Sequence, residues 1–90
     1  MATNKKNRKV LGRYIVADPK ICHGKPTFIE SRVMVWQVLE IVAEGEPWDK
    51  IVGEWPRSVT KEAIAEALEL AKRAFVDQAV EYAIEERLTA

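Results

Sequence analysis

The spacing of apolar and polar positions changes once along the chain, near residue 35. Before this point, short runs of aromatic and β-branched residues at 13–16 and 27–29 are separated by Pro and Gly, which is typical of short strands. After it, apolar residues recur every three or four positions, which predicts amphipathic helices. The sequence therefore predicts a mainly α protein in which a short N-terminal β element precedes three helices.

Turn-forming residues mark the boundaries of the predicted strands. Asp18-Pro19 ends the first strand, and Gly24 is expected to adopt a positive φ in the loop that follows. Residues 32–34 form a further short extended piece after the second strand. These features predict a compact β-turn-β segment that leads directly into the helices.

Three helices are predicted over residues 35–44, 47–55 and 60 to about 88. Gly45 is a suitable residue to end the first helix, and Pro56 ends the second. The third helix contains no Gly or Pro and exceeds the usual length of about three turns, so it is either one long helix or two pieces.

Two residues can cap this third helix, Ser58 or Thr60, and a break near Ala74 would divide it. The order of the helices, with a short connection between the second and the third, is that of a helix-turn-helix. We divide the chain accordingly into a disordered basic arm at 1–12, a helix-turn-helix domain at 13–73 and a C-terminal helical extension at 74–90.

The formal net charge of the 90 residues is zero, but the positive charges cluster before the first acid, Asp18. A basic arm attracts phosphate, and the first residues of a recognition helix reach base edges. Opposing this, Glu62, Glu66 and Glu69 follow on the same helix and would repel phosphate. The candidate DNA-binding residues from this reasoning are Arg8, Lys9, Arg13, Arg57, Thr60 and Lys61.

The third helix carries more apolar residues than two short helices can cover, and surplus apolar surface on a small domain marks a contact with another chain. The three tryptophans are expected to share a small core, with Trp55 partly exposed for a partner. The candidate partner-binding residues are Trp55, Phe75, Val76, Val80, Ile84 and Leu88.

The residue types present give little support to catalysis. The chain has one Cys and one His, the adjacent Cys22 and His23, whereas a structural zinc site needs four ligands. We therefore expect a non-enzyme with no metal or cofactor. A single cysteine indicates a reducing cytoplasm, and no apolar run approaches the roughly 20 residues that cross a bilayer.

Several segments together resemble DUF433, a family of domains of unknown function often described as VapB-type antitoxins with a homeodomain-like helix-turn-helix. The segments lie at 18–28, 31–35, 43–45, 55–56 and 59–64, and the resemblance spans about residues 14 to 72. Within this motif Lys25 and Arg32 are further basic residues that we add to the candidate DNA contacts. The family commonly has Gly where this chain has Glu30.

The resemblance implies a type II antitoxin that binds a PIN-like ribonuclease toxin and, with it, operator DNA. The C-terminal helix is then the candidate surface for the toxin or for dimerisation. The competing interpretation is a dimeric protein-interaction scaffold without DNA binding. Salt-dependent binding to DNA separates the two, because each phosphate contact steepens the salt dependence by about one unit.

Overall fold

The structure is a computed structural model that describes the backbone of residues 7–89 and the side chains of residues 7–79. Three helices follow a short antiparallel sheet at the N-terminal end. The strands are β1 (Lys9–Val10), β2 (Ile15–Ala17) and β3 (Pro26–Phe28), and the helices are α1 (Val35–Ala43), α2 (Trp48–Glu54) and α3 (Lys61–Thr89). A 3-10 turn, Cys22–Gly24, lies between β2 and β3.

The central strand β2 joins the other two strands and supplies the inner face of the sheet. Val10 pairs with Val16 on one side of it, and Ile15 pairs with Phe28 on the other. Ile15 and Phe28 are each 1% exposed, because the helices cover this face of the sheet. The small sheet therefore packs with one face on the helical core.

Helix α1 begins where the backbone leaves the sheet. Its N-cap residue, Met34, is extended and donates its backbone N–H to Oε1 of Gln37 at 3.1 Å, which satisfies one of the free amides near the helix start. Val35 and Val38 bury the inner face of the helix. The helix ends at Ala43, and Gly45, which follows the C-cap residue Glu44, has a φ of +90° that suits glycine.

Helix α2 is short and is followed by a tight turn into α3. Pro47 is its N-cap residue, and Ile51 is its one buried side chain. The N–H groups of Ser58 and Val59 both donate to the carbonyl of Trp55 at 3.0 Å, which turns the chain. Thr60 then caps α3.

Only the first part of α3 belongs to the core. Val59, Ala63, Ile64 and Ala67 are buried against α1, α2 and the sheet. Every described side chain from 71 to 79 is exposed, although the helix continues to Thr89. At 29 residues, α3 is roughly 43 Å long, so its second half extends away from the domain.

The structure confirms the predicted order of a short β element and three helices. The helix α3 is continuous through Ala74, which agrees with one long helix and not with two pieces. The sheet, however, extends into the predicted disordered arm, because Lys9–Val10 forms β1, whereas residues 1–6 lie outside the described residues. Residues 32–34 form no strand, only a bridge between Thr27 and Met34.

Two loops contain left-handed residues that are not glycine. Gly24 has the expected positive φ, but Cys22 and His23 before it also have φ values of +51° and +58°. Glu30, between β3 and α1, has a φ of +58°. A side chain in this region costs energy that glycine avoids.

We expect Glu30→Gly to raise the free energy of unfolding by roughly 0.5–1 kcal/mol, since relief of the left-handed strain outweighs the added entropy of the unfolded chain. Urea denaturation measures this change. Glu44→Gly is the matched control, because Glu44 has an ordinary φ of −76° and the same change there should destabilise the chain. A loss of stability in both variants would contradict the strain at Glu30.

Candidate functional site

The hairpin of β1 and β2 is fixed to α3 by one carboxylate. Glu66, on the second turn of α3, accepts the backbone N–H of Arg13 at 2.8 Å and that of Tyr14 at 2.7 Å. The remaining amides of the turn, those of Leu11 and Gly12, donate to the carbonyl of Ile15 at 3.0 and 3.1 Å. All four consecutive N–H groups of the turn are therefore paired.

Positive charge is concentrated on this hairpin. Lys9 and Arg13 are exposed, and Arg8 is half-buried. The Arg13 guanidinium lies 5.8 Å from the centre of the Tyr14 ring, within the range of a cation–π contact. No acidic residue occurs between positions 7 and 17, so the three cations of the hairpin are opposed by no acid within it, and Glu66 of α3 is the negative charge that contacts its turn.

The start of α3, the second predicted DNA-binding segment, is close to neutral. Lys61 Nζ lies 2.7 Å from Oδ1 of Asp49 on α2, and the hydrogen bond to this carboxylate raises the pKa of Lys61 above its ordinary value. Glu62 adds a negative charge beside it. The Thr60 Oγ1 accepts the N–H of Ala63 at 3.1 Å and so acts as the helix cap.

The remaining predicted DNA contacts lie elsewhere on the domain. Arg57 is exposed in the turn before α3, Lys25 is exposed beside the 3-10 turn, and Arg32 is exposed between β3 and α1. The Arg32 carbonyl accepts a weak hydrogen bond from Sγ of Cys22 at 3.6 Å. The eight predicted residues thus fall in three segments: the hairpin, the loops around β3, and the start of α3.

The exposed part of α3 presents an apolar row. Leu68, Phe75 and Val76 are 36%, 66% and 60% exposed, and their spacing of seven and eight residues places them on one side of the helix. This agrees with the exposure expected of Phe75 and Val76 as partner-binding residues. The side chains of the other three predicted residues of this row, Val80, Ile84 and Leu88, lie outside the described residues.

Charged residues lie beside this row on α3. Glu69 accepts a hydrogen bond from Lys72, whose Nζ lies 3.2 Å away, and Arg73 Nε lies 3.5 Å from the same carboxylate. The bond from Lys72 is the main reason that the pKa of Glu69 is lowered. Because all three side chains are solvated, these pairs contribute little to stability.

An apolar groove lies between the hairpin, α1 and the middle of α3. Its volume is about 270 Å³. The turn residue Leu11, which is 41% exposed, forms one wall, and Leu70, Ala71 and Ala74 form another. The groove leads from the core to the base of the exposed apolar row.

The tryptophans are arranged differently from the prediction. Trp48 and Trp55 are half-buried and pack against the core, whereas Trp36 is 51% exposed. Trp36 follows the buried Val35 by one position and therefore points to the outer side of α1. Its indole N–H donates to the sulfur of Met34 at 3.3 Å. Trp55 is thus partly exposed, as predicted, but Trp36 is the most exposed of the three.

The described residues contain no cluster of three or more His, Cys, Asp or Glu able to hold a metal ion. A charged cleft of about 220 Å³ between α1 and α2 is lined partly by Glu44, Glu54 and the ion pair of Glu46 with Lys50. In the same part of the chain, no helix is long and apolar enough to span a bilayer.

These features define a small, mainly α domain in which a basic hairpin packs on a three-helix core and a long last helix extends beyond it. The chain belongs to DUF433, the family described as "Protein of unknown function", whose model matches residues 15–71. No curated protein and no solved structure matches the chain. The family match ends where α3 leaves the core, so the exposed half of α3 lies beyond it.

Proposed function

We propose that this chain is a type II antitoxin of the VapB kind, which neutralises a PIN-like ribonuclease toxin by binding it through α3. In this proposal a homeodomain-like helix-turn-helix and the basic hairpin bind operator DNA for autoregulation. The chain acts in the cytoplasm, where both its RNA-cleaving partner and its operator are found.

One observation carries the proposal: α3 continues to Thr89, and its described side chains from 71 to 79, among them Phe75 and Val76, are exposed. A lone helix of this length is only marginally stable in water, because nearly all helical stability in proteins comes from packing of an apolar face. A surface with this character is typical of a segment that a partner covers. An antitoxin that binds its toxin through a helix would bury this surface in the interface.

The DNA-binding half of the proposal is supported by the arrangement of α2, the tight turn at Trp55–Val59 and α3. In a helix-turn-helix with this order of elements, α3 would be the recognition helix. However, the pairing of Lys61 with Asp49 and the adjacent Glu62 leave little net positive charge at its start. The cations of the hairpin are the stronger attraction for phosphate.

An RNA-cleavage assay tests the proposal. The probe is the purified PIN-like ribonuclease encoded beside the gene, incubated with a labelled RNA and increasing amounts of this chain. We expect cleavage to stop near one chain per active site, and the two proteins to co-elute in gel filtration. Unaltered cleavage at a large excess of the chain, or the lack of any such neighbouring gene, would contradict the antitoxin function.

The same apolar row also suits a second candidate, a dimeric scaffold without DNA binding. In that case two copies would cover each other's Phe75 and Val76. Sedimentation of the chain alone distinguishes the candidates: a dimer that neither inhibits the ribonuclease nor binds DNA at low salt favours the scaffold.

A further inference from the structure

We infer that Glu66 is a positioning residue that fixes the basic hairpin on α3, and that this hairpin, not the start of α3, is the principal phosphate-contacting surface. The inference rests on the DNA-binding half of the proposed function. The inference assigns DNA binding to particular residues. It also gives Glu66, an acid on the proposed recognition helix, a role in that binding.

Glu66 holds the turn of the hairpin by two hydrogen bonds, an arrangement that we call the clasp. An ionised carboxylate only accepts hydrogen bonds, and here its two oxygens each accept one backbone N–H of the turn, from Arg13 and Tyr14. Bonds of this kind, with one charged partner, are stronger than those between neutral groups. Because these bonds join residues more than 50 positions apart, they hold the hairpin to the helix and not merely to itself.

Gly12 makes this contact possible. A Cβ atom at this position would lie 2.5–2.7 Å from the carboxylate atoms of Glu66, closer than any ordinary contact. The obstructing atoms are the end of a flexible side chain, so Gly12→Ala would displace the carboxylate without requiring the backbone to move. The chain therefore offers two independent ways to open the clasp, one of which changes no charge.

Opening the clasp would release the residues that carry the positive charge. Arg13 loses the bond that fixes its backbone, and its guanidinium is held beside the ring of Tyr14, the other clasped residue. Lys9 pairs with Ala17 in the same hairpin. A cation that must be ordered when phosphate binds contributes less affinity than one already in place.

The sign of the expected effect separates positioning from plain electrostatics. Glu66→Gln removes a negative charge from a surface that meets phosphate, so electrostatics alone predicts tighter DNA binding. Positioning predicts weaker binding, because the amide can accept only one of the two turn N–H groups and its own NH₂ meets the other. Glu62→Gln is the matched control, since it removes the same charge from the same helix without touching the hairpin.

Fluorescence anisotropy with a labelled 24-base-pair duplex of mixed sequence at low salt provides the test. We expect Glu66→Gln and Gly12→Ala each to weaken binding by about fivefold to tenfold, the double variant to lose no more than either, and Glu62→Gln to bind as tightly as the wild type or more tightly. Circular dichroism confirms folding. Hydrogen exchange should show faster exchange at Arg13 and Tyr14 while the core amides stay protected.

The outcomes show separately whether this inference fails and whether the proposed function on which it rests fails. If the wild-type chain does not bind the duplex, the DNA-binding half of the proposed function is wrong and the inference falls with it. If the wild type binds but Glu66→Gln binds as tightly or more tightly, as expected for Glu62→Gln, only the inference is wrong. Equal losses in the two clasp variants, with an unaffected control, support it.

Discussion

Replacing both Phe75 and Val76 by Asp is expected to weaken binding of the ribonuclease by 100-fold or more, with a much smaller effect on the stability of the free chain. The two side chains are 66% and 60% exposed, so their replacement costs the free chain far less packing than it costs the complex. In the complex, the loss of two buried apolar side chains costs about 1.5–3 kcal/mol each, and two unpaired charges are buried in their place. Isothermal titration measures the affinity, and thermal unfolding monitors the free chain.

Glu54→Ala is the control for this prediction, because Glu54 is an exposed charge on α2 and not on the apolar row of α3. It should bind the ribonuclease within about twofold of the wild type, as expected for a charge at the rim of an interface or outside it. An unchanged affinity in the Phe75/Val76 variant would show that the exposed row of α3 is not the partner surface.

Removal of the hairpin cations is expected to have the largest effect on DNA binding. When Arg8, Lys9 and Arg13 are all replaced by Gln, affinity for the duplex should fall by about 100-fold, and the slope of log K against log salt should decrease by about three units. Each lost phosphate contact removes roughly 0.9 units of slope, which accounts for this number. Anisotropy titrations at several salt concentrations measure both quantities.

Replacement of Arg57 and Lys61 by Gln is the comparison. Since Asp49 already offsets the charge of Lys61, this pair should lower the slope by no more than about one unit. The opposite order of effects, with the start of α3 dominating, would mean that the recognition helix reads the DNA and the hairpin does not.

The helical part of the fold could be predicted because its signals are local. The three- and four-residue spacing of apolar residues identifies each helix, and Gly45 and Thr60 mark ends that the structure confirms. The positive φ of Gly24 likewise follows from its residue type. These features depend only on residues within one turn of each other.

The hairpin and its clasp could not be predicted, because they depend on contacts between distant parts of the chain. Strand β1 is only two residues long and has no alternating pattern, and its partner strand and Glu66 hold it in place. From the sequence alone, Glu66 is one of three acids that oppose phosphate binding. The fold turns its carboxylate to backbone amides instead.

The exposed tryptophan shows a similar limit. Periodicity places Trp36 within a broad apolar stretch, but Val35 and Val38 occupy the inner face of α1 and leave Trp36 on the outer one. Trp55, at the end of α2, is instead drawn against the core by the turn into α3. The exposure of each tryptophan depends on the exact rotation of its helix about the helix axis, and the spacing of apolar residues in the sequence does not define that rotation closely enough.

Hydrogen exchange measured along α3, with and without the ribonuclease, tests most directly whether a partner binds the second half of this helix. In the free, dilute chain we predict slow exchange from Ile64 to Leu70 and rapid exchange beyond Lys72, because the side chains described there, up to Ala79, are exposed. Addition of the ribonuclease should slow exchange beyond Lys72. Uniformly slow exchange along the whole helix in the free chain, unchanged by the ribonuclease, would contradict the account.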